Sequence, residues 1–186
     1  SDGHDRVRDL LKAEGLHSVC EEAACPNRGE CWEKGHVTFM ILGDRCTRNC
    51  LCCNVTSSSP EEPDASEPAR IGRAVDLLGM EYVVITSVTR DDLPDKGAGH
   101  FAETVKSVKE ASRGTVMELL IPDLAGEKDL IEKVAFSGAE VIGHNIETPG
   151  ALFAETRPGA DYQRSLTVLE TLAGIRRGGT RIKVKS

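Results

Sequence analysis

Two periods of hydrophobic and polar positions alternate along most of this chain. Short apolar runs rich in Val and Ile occupy residues 37–43 (VTFMILG), 82–87 (YVVITS), 115–122 (TVMELLIP), 141–147 (VIGHNIE) and 181–186 (RIKVKS), and each predicts a strand. Between them, apolar residues recur every three or four positions: Ile71, Ala74, Val75 and Leu78; then Phe101, Val105 and Val108; then Leu130, Ile131, Val134 and Ala135; then Leu166, Leu169 and Ala173. Each set predicts one face of an amphipathic helix packed on a core. Strand–helix alternation implies a parallel sheet with crossover helices, so the expected class is α/β, a partial (β/α) TIM-like barrel. Residues 57–66 (SSSPEEPDAS) are polar and contain proline, which predicts an exposed loop.

Composition narrows the class of function. The chain has 186 residues, 39% hydrophobic and 28% charged, as in a soluble globular protein of one domain or one domain with an appendage. No apolar run approaches the ~20 residues of a membrane span, and no charged-then-apolar leader is seen, so a cytoplasmic protein is expected. With 23 Lys and Arg against 30 Asp and Glu, the formal charge is −7. That balance, without a basic block, argues against nucleic acid or an anionic membrane as partner.

The cysteines change the picture most. All seven lie between Cys20 and Cys53, an odd number in a tight cluster, unlike a secreted disulfide scaffold. They form two triads. Cys20, Cys25 and Cys31 are spaced C-x4-C-x5-C; Cys46, Cys50 and Cys53 are spaced C-x3-C-x2-C, with Cys52 an extra thiol inside the second. Structural zinc takes four ligands in paired C-x2–4-C steps, which two unequal triads fit poorly, although a zinc knob built from both stays open. A 4Fe–4S cluster can be held by three thiolates on a winding loop, leaving one iron open for a ligand.

In a β/α barrel, chemistry gathers on the loops beyond the C-terminal ends of the strands. Cys46 to Cys53 follow the first predicted strand, the segment from Thr86 to Asp92 follows the second, and His144 to Thr148 end the fourth. Singly, Asp91 and Asp92 are as well read as turn caps and His144 as a satisfied core histidine; together on one rim they point to one site. A ferredoxin-like electron carrier or a zinc-stapled interaction module would use the cysteines without the long β/α segment.

The Cys46, Cys50, Cys53 spacing after a first strand resembles the signature of the radical S-adenosylmethionine (SAM) superfamily. Within it, the earlier triad, VVITSVTRDDLPD (residues 83–95), HNIET (144–148) and RPGADYQRSL (157–166) resemble the lipoyl synthases, over about residues 10–186. The resemblance implies a radical SAM barrel cut short after about five strands (37–186) and an N-terminal extension (1–36) carrying an auxiliary cluster motif. Cys46, Cys50 and Cys53 would hold a SAM-binding 4Fe–4S cluster, and Cys20, Cys25 and Cys31 an auxiliary 4Fe–4S cluster that donates sulfur. The family inserts two sulfur atoms at C6 and C8 of a protein-bound octanoyl-lysine, a sulfurtransferase reaction of lipoate biosynthesis. Implied partners are octanoylated lipoyl-carrier domains (2-oxoacid dehydrogenase E2 subunits and the glycine cleavage H protein) and a ferredoxin- or flavodoxin-type reductant. Biotin synthase and other radical SAM enzymes share the second triad but not the first.

With that chemistry in view, Thr86 and Ser87 are suited to the amino end of the methionine moiety. Asn145 and Glu147, on alternate residues of an expected strand end, would face ribose or carboxylate together. Arg90, Arg157 and Arg164 are fork donors for a carboxylate, Arg157 being the one assigned to the cofactor; each could equally pair with Asp91, Asp92 or Asp161. No catalytic residue is assigned beyond the clusters. Three positions depart from the family: Cys52 replaces an aromatic residue and could be a competing ligand, an oxidation-prone thiol or a packed small hydrophobe, the last being expected; Lys96 replaces glycine, and Gly143 replaces asparagine. The family also continues past residue 186 to an R-S-S-Y-type motif whose serine completes the auxiliary cluster.

Overall fold

A computed structural model describes residues 2–177 and 180–186. Helix α1 (Asp2–Glu14) leads into strand β1 (His17–Ser18) and two short helices, α2 (Val19–Glu22) and α3 (Arg28–Glu33). Strand β2 (Thr38–Ile41) is followed by two-residue strands β3 (Arg45–Cys46) and β4 (Thr56–Ser57). Then come α4 (Glu67–Leu78), β5 (Tyr82–Ser87), α5 (Ala98–Ala111), β6 (Val116–Leu120), a 3-10 turn (Leu124–Gly126), α6 (Lys128–Ala135) and β7 (Val141–Gly143). The chain closes with α7 (Gly150–Thr156), α8 (Tyr162–Gly174), the hairpin pair β8 (Arg176–Arg177) and β9 (Thr180–Arg181), and β10 (Lys183–Lys185).

The main sheet runs β1-β2-β5-β6-β7-β10. From β2 to β10 every neighbouring pair is parallel. Spatial order follows chain order, the winding of a (β/α) barrel rather than of a doubly wound sheet. Since the strands are parallel, the segments after β2, β5, β6 and β7 emerge on one edge. β1 joins the other way: it pairs antiparallel with β2, His17 opposite Met40, and so stitches the N-terminal extension to the first barrel strand. Val7, Leu11, Leu16, Cys20 and Trp32 belong to the same continuous buried core as the barrel strands.

Three of the four helical stripes face the core where the periodicity puts them, in α4, α5 and α6, with Leu78 and Leu130 half-buried at their edges. The stripe on α8 is rotated by one position. Ser165, Val168 and Leu172 are buried, Leu166 and Leu169 are half-buried, and Ala173 is exposed. Both sets keep helical spacing, so periodicity alone could not choose between adjacent faces. The fourth strand is shorter than expected, ending at Gly143, and residues 144–147 run on as loop.

Close packing of α4 on α5 depends on one glycine. A Cβ at Gly72 would stand 2.7 Å from the carbonyl oxygen of Ser107. Gly72→Ala is therefore expected to lower stability by about 1–3 kcal/mol through helix displacement, outweighing the ~1 kcal/mol that alanine gains in helix propensity. Thermal unfolding of the variant checks this, and an unchanged or raised midpoint would contradict it.

Candidate functional site

The second cysteine triad sits on a loop pinned at both ends. β3 pairs with β4 in parallel, Cys46 opposite Ser57, closing the chain between them into a protruding loop. Thr47 fastens its start: its backbone N–H and its hydroxyl both donate to the Thr89 carbonyl, at 3.1 and 3.0 Å, beyond the end of β5. The Leu51 N–H donates to the Thr156 carbonyl at 2.8 Å, tying the loop to α7, and Asn54 Nδ2 donates to the Glu22 carbonyl at 3.0 Å, tying it to α2. Two of the triad's sulfurs accept backbone N–H groups: Cys46 Sγ from Arg48 at 3.4 Å and Cys53 Sγ from Val55 at 3.5 Å. Burial pushes the Cys50 thiol up, and the nearby Arg157 guanidinium partly offsets this.

This loop overhangs a cavity of about 340 Å³ at the C-terminal ends of the strands, within the range of small-molecule clefts. Cys46, Cys50 and Cys53 border it, as do Thr86, Ser87, Asn145, Glu147 and Arg157. Thus all five side chains singled out for the cofactor, and the second triad, line one space. Its remaining wall includes Val19 and Ala23 at the two ends of α2, the helix that carries Cys20. Cys20 itself is buried, Cys25 and Cys31 are half-buried, and none of the three borders the cavity. Ser18 caps α2 by accepting from the Glu21 N–H at 3.3 Å, while its hydroxyl donates to the Glu21 carboxylate at 3.2 Å, a reciprocal cap that fixes where the first triad begins.

Three of the buried polar side-chain atoms without a partner belong to residues of the cavity's lining. Ser87 Oγ, His144 Nε2 and Arg157 Nε are buried and make no hydrogen bond among the described residues. Buried polar groups normally find a partner, so three such atoms around one cavity are what a polar ligand would satisfy. Thr86 differs from Ser87, because its hydroxyl donates to the Leu120 carbonyl at 2.8 Å. Asn145 and Glu147 do converge, but not by strand alternation. They lie in the loop after β7, Glu147 has a left-handed backbone (φ 67), and Asn145 Nδ2 donates to Glu147 Oε1 at 2.8 Å. Left-handed φ at a non-glycine residue is costly and tends to occur at sites that use it. Arg157 underpins this loop: Nη1 donates to the carbonyls of Asn145 and Ile146 at 2.9 and 3.3 Å, and the guanidinium lies 5.0 Å from the Phe153 ring centroid.

The other two arginines are spoken for elsewhere. Arg90 is buried and forks onto Asp92, Nε to Oδ1 at 2.9 Å and Nη2 to Oδ2 at 2.8 Å. Arg164 leans on Asp123 at 3.3 Å, and its N–H donates to the Asp161 cap of α8 at 2.7 Å. Neither borders the cavity. Cys52 is not packed as expected: it is exposed at the cavity's rim. At Lys96 the backbone is left-handed (φ 54), which accounts for glycine as the family's residue, and the lysine Nζ donates to the Asp91 carbonyl at 2.9 Å.

Three residues matter more than their sequence context suggests. His144 is 1% exposed and its Nδ1 lies 2.9 Å from the Ile121 carbonyl. A carbonyl only accepts, so Nδ1 carries the proton and Nε2 is left as an acceptor. The remaining two are Arg48, which also borders the cavity, and Asp123, joined to it in a buried ion pair. Asp123 follows an apolar strand as Asp91 and Asp92 do, which was the available signal; Arg48 was hidden inside the cysteine spacing.

Burial depresses the His144 pKa below the ordinary histidine value of 6.5. The unfolded chain therefore takes up a proton first as pH falls, so the stability tied to neutral His144 is complete above about pH 6.5 and is lost as pH drops toward the lowered folded value. Denaturant midpoints measured from neutral to mildly acidic pH should decline below that point, and His144→Gln should remove this part of the slope. An unaltered slope in the variant would assign it to other groups.

The donor chemistry fits an iron–sulfur cluster: three free thiols on one pinned loop, two with sulfurs already accepting N–H bonds, facing unpartnered polar atoms. Among the described residues, no three His, Cys, Asp or Glu side chains converge on a point that a single metal ion would occupy. A cluster takes each thiolate on a separate iron and does not require that convergence. No helix among the described residues is long and apolar enough to cross a membrane.

Comparison with known proteins agrees with this geometry. The lipoyl synthase of Geobacter metallireducens is 52% identical over 169 residues, covering 91% of this chain and 59% of that protein, so the chain spans little more than half the length of that relative. A crystal structure of methylornithine synthase superposes with a TM-score of 0.55 at 16% identity, covering 90% of this chain and 51% of the other, which supports the barrel fold alone. The family model for the radical SAM superfamily matches residues 40–182, from the first barrel strand through α8 and up to the last strand, and the chain belongs to that superfamily.

Proposed function

We propose that this chain is the larger part of a lipoyl synthase, inserting sulfur at C6 and C8 of an octanoyl chain carried on a lysine of a lipoyl-carrier domain. The observation that carries the proposal is the shared wall of the cavity. One side holds the loop of Cys46, Cys50 and Cys53, and another is formed by α2, which bears the first cysteine of the other triad. A carrier of electrons alone has no use for a cleft with three unsatisfied polar atoms next to its ligand loop.

Cys46, Cys50 and Cys53 would hold the cluster that binds SAM, and Cys20, Cys25 and Cys31 the auxiliary one. The first would supply the electron for reductive cleavage of SAM and the second the sulfur. The chain's own residues bind, orient and exclude water. Ser87 Oγ and His144 Nε2 offer polar atoms to SAM, Asn145 and Glu147 present a hydrogen-bonded pair to its ribose or carboxylate, and Arg157 holds their loop. Met40, Val88, Leu120 and Ile121 give the same cavity apolar surface, which keeps water from the reacting centre. Octanoylated E2 and H-protein domains, a ferredoxin- or flavodoxin-type reductant and a cytoplasmic setting follow from this activity.

The test is anaerobic reconstitution of the full-length protein, with iron and sulfide counted and 5′-deoxyadenosine measured with and without an octanoyl-lysine peptide. Productive cleavage should wait for a bound C–H donor in near-attack geometry, so the acylated peptide should accelerate it. Two molecules of 5′-deoxyadenosine are expected per lipoyl group, one for each C–H bond broken. A sulfur-free product with a single equivalent would leave the superfamily assignment standing and remove sulfur insertion.

A further inference from the structure

Arg48 lies between Cys46 and Cys50 on the ligand loop, yet its side chain turns inward and is 6% exposed. Its guanidinium forks twice. Nε and Nη2 reach the two oxygens of Asp91 at 2.7 Å each, while Nη1 and Nη2 reach those of Asp123 at 2.8 and 2.9 Å. Asp91 stands beyond β5 and Asp123 beyond β6, so one side chain joins the cysteine loop to two other loops of the rim. Asp123 is 2% exposed and also meets Arg164 at 3.3 Å. A Cβ at Gly159 would come within 3.5 Å of the Arg48 stem, so the segment after α7 closes over it without a gap. Two arginines thus face two carboxylates in a set with no net charge, buried at Arg48 and Asp123 and partly exposed at Asp91 and Arg164, next to the triad in sequence and in the cavity wall.

Folding alone does not explain that arrangement. Replacing buried ion pairs by packed apolar side chains is often neutral or stabilising, so such a set is weak evidence of a stability role. A planar double fork does provide angular precision, since it allows few orientations of the backbone that bears it. We propose that Arg48 is a positioning residue for the cluster loop: its double fork holds Cys46 and Cys50 in ligating register, and its charge, with that of Arg164, balances Asp91 and Asp123 beside the cluster. This rests on the assignment of Cys46, Cys50 and Cys53 as cluster ligands.

The experiment compares full-length wild type, Arg48→Gln, Arg48→Lys and Asp91→Asn after anaerobic reconstitution. It reads the rate of cluster loss to a chelator, the midpoint potential by EPR-monitored titration, and the melting temperature of the cluster-free chain. Partners that orient metal ligands typically change affinity by about 10–100-fold, so Arg48→Gln should lose its cluster faster by that order. Its potential should move negative, because an unbalanced carboxylate disfavours adding an electron. Arg48→Lys keeps the charge but not the fork, so its potential should stay near wild type while its cluster is still lost faster. Asp91→Asn, at a half-exposed position, should shift the potential positive, and with Arg48→Lys it decides the matter if Arg48→Gln does not fold. Wild-type retention and potential in both Arg48 variants, or a lowered melting temperature with no change in either, would overturn the proposal. A wild type that takes up no 4Fe–4S cluster would instead remove the ligand assignment, and the proposal with it.

Discussion

Replacing Cys50 with alanine is expected to abolish both cluster binding and SAM cleavage, whereas Cys52→Ala should leave both nearly intact. The two thiols are separated by one residue, yet their settings differ. Cys50 is half-buried, and Arg157 opposes the upward push of burial on its thiol. Cys52 is exposed, and no hydrogen bond to its sulfur is seen among the described residues. With one of three thiolates gone, a second iron is left without protein ligand, and the iron count should fall from about four per cluster toward zero. An exposed cysteine removes little packing when truncated, so Cys52→Ala should also unfold within about 0.5 kcal/mol of wild type. Iron analysis and 5′-deoxyadenosine release on the two variants decide the matter. Equal losses would mean that Cys52 takes part in ligation and that the triad's register is different.

Arg157→Ala is expected to raise the KM for SAM by about 10–100-fold, with a smaller effect on kcat. The guanidinium donates to two consecutive carbonyls, those of Asn145 and Ile146, and lies against the Phe153 ring. Charge-assisted hydrogen bonds contribute about 1.5–3 kcal/mol each, and 1.4 kcal/mol corresponds to tenfold in an equilibrium. Without these bonds, the left-handed conformation at Glu147 has less to hold it, and the Asn145–Glu147 pair loses its aim. The loss should therefore appear in binding before it appears in chemistry. Arg157→Lys retains the charge and one donor direction and should recover part of the affinity. A variant with lowered kcat and an unchanged KM would show that Arg157 acts on the reacting centre and not through the loop.

The match between sequence and structure varies with the range of the forces involved. Strand β5 is where its run of Val and Ile places it, because a run of β-branched residues is a local preference. The stripe on α8 is displaced by one residue, because the choice between adjacent helical faces is made by what packs against them. Cys52, expected inside, is outside because the loop's course is set by Thr47, Leu51 and Asn54 bonding to three distant segments.

Spacing along the chain was sufficient to single out the two cysteine triads, to give the parallel α/β class and to put the second triad, the segment from Thr86 and the segment from His144 on one rim, whereas the place of Arg157 under the loop after β7 was not legible from it. Each depends on short-range order: ligand spacing within a loop, periodicity within an element, and the rule that parallel strands end on one side. Three features depended on contacts between residues far apart in the chain. They are the antiparallel β1 that draws the first triad's helix to the cavity wall, the unsatisfied Nε2 of His144, and the double fork of Arg48 onto Asp91 and Asp123. The partners of Arg48 are 43 and 75 residues away, beyond the reach of any local pattern. Whether a buried charge is paired, and with what, is decided only when the loops of several strands are brought together, because only there does exclusion of water make an unpaired charge too costly to keep.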